Sequence, residues 1–236
     1  MKFWNWIKNE DGRTLYLDGY IAQESWFEDE VSPKEFRAEL ESAKDDIILW
    51  INSPGGDCFA ASQIYTMLKE YPGKVSVKID GIAASAASVI AMSGDEVLMS
   101  PTSMLMLHNP STFIWGEEAD MKRGIEMFSE VKESIINAYE AKTGLSRQEI
   151  SQMMDRETWM SANKAQLMGF CDKVLYTENE AVPEALMNGF MFDKVTVTNN
   201  FMGKFQKMKK KDEAQIKEFL VGTPYDYLAK RLELLK

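Results

Sequence analysis

The sequence predicts an α/β domain built on a mostly parallel sheet, and three observations lead there. Two strand–turn–helix units follow each other directly between Asp46 and Met92, the pattern that lays parallel strands side by side with helices crossing over between them. Glycines fall where the chain leaves each strand, at Gly55-Gly56 and at Gly81. The 236 residues, 45% hydrophobic and 27% charged, have the composition of a globular chain with a substantial core, enough for one large domain or one domain with an appendage.

Taken in order, residues 14–21 (TLYLDGYI) read as the first strand, and Ser32-Pro33-Lys34-Glu35 combines a capping box with Pro at the first helical position, so a helix starts at Pro33. Residues 46–52 (DIILWIN) form an apolar run of strand length that ends in the turn SPGG, followed by helical periodicity over 59–71. Residues 74–80 (KVSVKID), a turn at Gly81 and the small-residue helix 83–92 repeat the unit. Short buried strands follow at 96–99 and 104–107, then a loop over 109–116 and one long helix over 117–143, with Ile125, Phe128, Val131 and Ile135 on one face. Ser146 opens a second capping box, Ser161 caps a short helix that Gly169 ends, and residues 173–176 form a last strand. Beyond Thr177 the alternation stops. The domain boundary is therefore set near residue 178, giving a domain over 1–177 and a basic, helical extension over 178–236.

Charge separates the two parts further. The net charge is −10, but residues 201–236 carry nine Lys/Arg against five Asp/Glu, net +4, leaving 18 against 32, net −14, for residues 1–200. An acidic body argues against a nucleic-acid partner, while the basic tail suits solvent or an acidic surface. Cys58 and Cys171 have neither metal nor redox spacing, so a reducing compartment is expected and no zinc site can be assembled from them. No apolar run of signal-peptide or bilayer-spanning length occurs, so a cytoplasmic location without membrane association is expected. No Walker or dinucleotide-binding glycine pattern follows any strand, and no cofactor is expected.

The residues able to do chemistry are few. His108 is the only histidine, so any Ser-His or Cys-His mechanism must use it. A lone histidine at a strand end has a packing explanation too, and its neighbours decide. Ser85 lies in GIAASAAS, where a strand enters a helix through residues with almost no side chain, which exposes a hydroxyl next to the free N–H groups of a helix start. Tight helix-to-sheet packing is by itself the commoner explanation of such a run, and Ser88, one turn on, is the comparison hydroxyl, whose loss is expected to leave most activity. Gly55-Gly56 is a second source of backbone donors, against the plain reading of a β-turn. An acid to orient the imidazolium is available as Asp155 or Glu157 in DRETWMSA. Nothing near Cys58 in sequence would activate its thiol.

Together NSPGG (52–56), GIAAS (81–85), LHNP (107–110), DRETWMSA (155–162) and AQLMGFCD (165–172) resemble, in order and separation, the motifs of ClpP, the proteolytic subunit of Clp protease, over residues 14–176. The extension and the GIAASAAS and ETWMSA variants are most similar to the ClpP-like head maturation proteases of tailed phages and prophages. The resemblance implies the ClpP/crotonase-like spiral α/β fold and a serine endopeptidase that works through an acyl-enzyme. It makes Ser85 the nucleophile, His108 the general base, and the N–H groups of Gly56 and Ala86 the oxyanion hole. The family has Asp in a D-R-D-x-F pattern where this chain has D-R-E-T-W, which puts Glu157 third in the triad with Asp155 in reserve. It further implies a homo-oligomer of one or two stacked rings joined through helix 117–143, no metal or cofactor, a protein or peptide substrate, and either a capsid or scaffold partner or an ATP-driven unfoldase.

Overall fold

In the computed structural model, residues 3–9, 12–21 and 33–176 are described. The expected tail helix, the tail lysines and the boundary near residue 178 lie outside them. At the centre of the sheet are β3 (Ile47–Gly56) and β4 (Val75–Ala84), paired in parallel from Ile47↔Val75 to Ile51↔Ile79. Their alternating burial puts Leu49, Ile51, Val77 and Ile79 in the core, each essentially without solvent contact. Burying a side chain of this size contributes about 1.5–3 kcal/mol.

One edge is a hairpin. β1 (Trp4–Asn9) pairs antiparallel with β2 (Gly12–Ile21), and β2 pairs in parallel with β3. The sequence reading found β2 and missed β1, whose stretch WNWIKN lacks the strict alternation of a half-buried strand. Between β2 and β3 lies α1 (Pro33–Leu40), starting at the expected proline. The crossovers α2 (Cys58–Lys69) and α3 (Ala86–Ala91) follow β3 and β4 as expected. Both strands, however, run through the residues read as turns: β3 continues through SPGG to Gly56 and β4 through Gly81 to Ala84. The helix after β4 therefore begins later than expected.

β4 has two successive neighbours on its far side. Ser76 to Ile79 pair with β5 (Glu96–Met99), whereas Ile82 to Ala84 pair with β6 (Met104–Leu107), both in parallel. The sheet thus forks at Asp80-Gly81, where an added Cβ on Gly81 would collide with the Asn52 side chain. β5 continues to β8 (Lys173–Val174), shorter than expected, while β6 pairs antiparallel with β7 (Thr158–Ser161). β7 was not anticipated, because TWMS lacks the apolar run that marks the equally short β5 and β6 and its Ser161 reads as a helix cap. The sheet is mixed but mostly parallel, and the chain is α/β.

The long helix is α4 (Glu118–Thr143), ended by Gly144 at φ 69°; α5 (Arg147–Asp155) starts at Ser146, whose hydroxyl accepts from the Glu149 N–H. Ser161 stands at the N-cap of α6 (Ala162–Leu167) but its side chain makes no capping bond, correcting the expected role. On α4, Ile135 is buried and Val131 half-buried, whereas Ile125 is 66% exposed in the single chain. Among the described residues no helix is long and apolar enough to cross a membrane.

Candidate active site

Ser85 is the first residue after β4 and the N-cap of α3, with φ 55° and ψ −125°. A side-chain-bearing residue avoids this region at a cost of about 1–3 kcal/mol, so its surroundings must enforce it. They do so through the backbone: the Ser85 N–H donates to the Met106 carbonyl (3.0 Å), and the Ser85 carbonyl accepts from the Ser88 N–H (3.0 Å) and the Ser88 hydroxyl (2.6 Å). Ala83, Ala84, Ala86 and Ala87 flank it, all buried. The result is a sharp strand-to-helix elbow that presents the Ser85 hydroxyl, an arrangement suited to a nucleophile.

The end of β3 lies against this elbow. A Cβ added to Gly55, at φ 98°, would come within 2.6 Å of the Ala84 carbonyl, 2.8 Å of the Ser85 Cβ and 2.9 Å of the Ala86 nitrogen. Gly56, at φ 150°, has no room for a side chain either, since its Cβ would strike the Ile21 carbonyl. Ser53, fully buried, accepts from the Gly55 N–H (3.1 Å) and donates to the Gly19 carbonyl (2.5 Å), which holds the turn to β2. Glycine at both positions therefore lets one backbone approach another.

His108 follows β6. Because β6 runs parallel to β4 with Ala84 opposite Met106, the residues just beyond the two strands emerge together. The His108 Nε2 and the Ser85 Oγ are 2.7 Å apart, within hydrogen-bond distance. For Nε2 to accept the serine proton, the ring must carry its hydrogen on Nδ1. Burial pushes the His108 pKa below its ordinary value and the charge of Glu157 opposes that shift, so the neutral base form is favoured.

Glu157 reaches the same place through β7. The antiparallel register of β6 and β7, with Leu107 opposite Thr158, brings Glu157 alongside His108. Its φ is 51°, positive as at Ser85, and its carboxylate accepts from the Trp159 indole N–H at 3.0 Å. No hydrogen bond joins it to His108 among the described residues, so its effect on the imidazole is one of charge. Asp155 points elsewhere: it accepts from the Asn109 amide (2.9 Å) and from Lys132 (2.6 Å), which together hold its carboxyl below the usual range. It fixes Asn109, the residue after His108, rather than His108 itself.

The Cys58 thiol is pushed up by burial and by Asp57, and Cys171 by burial to about 11, so neither is an activated thiol. Two residues that sequence reasoning did not single out border the site. Lys132 has no local signature that could have marked it. Tyr139 repeats the helical spacing of Ile135 on α4, which reads as core, yet its hydroxyl lies 2.8 Å from that of Ser88. Ser88 itself is fully buried.

Comparison with known proteins adds to this geometry. The family model described as Clp protease matches residues 13–178. The chain is 30% identical over 174 residues to the ATP-dependent Clp protease proteolytic subunit 1 of Chlamydia muridarum, covering 72% of this chain and 90% of that protein. It is 33% identical over 164 residues to subunit 1 of Streptomyces avermitilis, with 66% and 76% covered, and 34% identical over 142 residues to subunit 3 of Rhodococcus jostii, with 59% and 70% covered. The matched span takes in every strand from β2 onward together with the elbow and the histidine it meets, and on that breadth the chain belongs to the Clp protease family, which implies a serine peptidase.

Proposed function

We propose that Ser85, His108 and Glu157 form the catalytic triad of a serine endopeptidase, with the N–H groups of Gly56 and Ala86 as the oxyanion hole. The observation that carries this reading is the 2.7 Å approach of His108 Nε2 to the hydroxyl of a serine held at positive φ. His108 takes the Ser85 proton as Oγ attacks the scissile carbonyl carbon, and the carbonyl electrons move onto oxygen. The two backbone N–H groups stabilise that oxyanion, and Glu157 stabilises the imidazolium. Collapse expels the amine, which takes the proton from His108 and leaves an acyl-enzyme. A water deprotonated by His108 then hydrolyses the ester and frees Ser85.

The finer reading is a phage or prophage head maturation protease that processes capsid or scaffold proteins, supported by the GIAASAAS and ETWMSA variants and the basic extension. A second reading, a proteolytic subunit served by an ATP-driven unfoldase, is favoured by the matched relatives, whose names call them ATP-dependent. Either way the protein works as a homo-oligomer of one or two rings, and the exposure of Ile125 on α4 supports burial of that face by a second copy. Co-expression with capsid and scaffold proteins, read by mass spectrometry, tests the choice. Discrete cleavage products lost on Ser85→Ala, formed without an unfoldase, support head maturation; cleavage only when an unfoldase and ATP are supplied supports the second reading.

A further inference from the structure

We infer that Ser88 and Tyr139 are positioning residues that aim the Ala86 N–H at the oxyanion. The inference rests on the proposed role of Ala86. Its basis is a chain of two buried hydroxyls that ends on the elbow. Tyr139, on α4, is 1% exposed and Ser88, on α3, is 0% exposed. The Ser88 hydroxyl donates to the Ser85 carbonyl at 2.6 Å, and the two hydroxyl oxygens are 2.8 Å apart. A serine hydroxyl has one hydrogen. With that hydrogen on the Ser85 carbonyl, the Tyr139 O–H must donate to Ser88, and the direction of the chain is fixed from α4 to the elbow.

The Ser85 carbonyl and the Ala86 N–H belong to one peptide plane, and planarity sets them antiparallel. Whatever pins the carbonyl therefore sets the direction of the N–H. The Ser88 and Val89 N–H groups also reach this carbonyl, at 3.0 and 3.4 Å, as the helical backbone dictates, but the hydroxyl contact is the shortest and is supplied by a side chain. Each bond in such a chain polarises the next, so a carbonyl that accepts from Ser88 makes its own peptide N–H a stronger donor. The plane must be held, because Ser85 sits at φ 55° and a relaxed elbow would swing it away. Ser88 is thus no neutral comparison for Ser85, and its replacement is expected to affect the chemistry after all.

The prediction separates positioning from stability. Ser88→Ala leaves the Tyr139 hydroxyl buried without a partner and lowers both thermal stability and activity. Ser88→Ala/Tyr139→Phe removes both hydroxyls, so no buried group is orphaned and stability recovers toward the parent. If the pair positions Ala86, the double variant still has kcat reduced about 10-fold with KM within twofold, less than the ~10²–10³-fold lost when an oxyanion donor is removed outright. Its affinity for a peptide boronate falls by a similar factor. Tyr139→Phe alone, which keeps the Ser88 contact to the carbonyl, loses less than Ser88→Ala. Rates are normalised to sites titrated by a fluorophosphonate, so a misfolded fraction does not count. A double variant with parental kcat and boronate affinity overturns the inference, as does a loss carried in KM alone. Failure of the triad reading is separately visible, since full activity in Ser85→Ala would remove the oxyanion and leave nothing for Ala86 to stabilise.

Discussion

The β4–α3 elbow and the turn between α5 and β7 each hold a side-chain-bearing residue at positive φ, Ser85 at 55° and Glu157 at 51°, yet they are held differently. Ser85 has its N–H on Met106, its carbonyl on Ser88 and its hydroxyl against His108. Glu157 is exposed, and its carboxylate is engaged by the Trp159 indole, not the imidazole. The elbow fixes position by contact; the turn delivers charge at a distance. The difference implies that losses at the elbow are near-total and losses at the turn graded.

The largest effect is expected at the elbow itself. Ser85→Ala or His108→Ala is expected to lower peptide hydrolysis by on the order of 10⁶-fold, because in the proposed triad the serine and the base act as one unit. Circular dichroism and sedimentation should be unchanged; activity within tenfold of the parent in either variant would break the contrast. Next comes the glycine packed on the elbow. Gly55→Ala adds a Cβ within 2.6 Å of the Ala84 carbonyl at a φ of 98°, and is expected to destabilise the chain by roughly 2 kcal/mol or more in denaturant titration and to suppress labelling of Ser85.

At the turn, Glu157→Gln is expected to cost about 10²-fold in kcat, less than the ~10⁴-fold lost when a triad carboxylate that directly bonds the histidine is neutralised. Asp155→Asn, which weakens an exposed pair with Lys132, should cost less than fivefold. The reverse ranking, read from kcat at saturating peptide, would move the third role to Asp155. The smallest effect is a shift in pH profile. His108 must be neutral to act, and burial lowers its pKa, so activity rises through an acid limb below ~6.5. Glu157 raises that pKa, and Glu157→Gln should move the limb to still lower pH. The same depressed pKa means that the contribution of His108 to stability is in place above the unfolded value of ~6.5 and is lost as pH falls from there toward the folded value.

Much of this was legible in the residues, for physical reasons that differ by element. The βα units announce themselves in two ways: DIILWIN is a continuous apolar run of strand length, and KVSVKID alternates Val, Val and Ile with polar residues, each ahead of glycine and a helical stretch. The pairing of Ser85 with His108 follows from a unique histidine and a small-residue elbow, once β4 and β6 lie side by side. β1 and β7 were not legible, being an edge strand of irregular alternation and a short one bounded by Thr158 and Ser161 rather than filled by an apolar run as β5 and β6 are. The orientation of Asp155 was equally hidden, since it depends on Lys132, 23 residues away on another helix. Spacing in AASAAS did not reveal that the Ser88 hydroxyl is buried against Tyr139, whereas that of Ser85 meets His108.

The central claim is that the Ser85 hydroxyl is the nucleophile activated by His108. Reaction with a fluorophosphonate, followed by proteolysis and mass spectrometry, tests it most directly. The account predicts a single adduct on Ser85, absent in Ser85→Ala and strongly slowed in His108→Ala, with Ser88 unmodified. An adduct on any other residue, or undiminished labelling in Ser85→Ala, would contradict it.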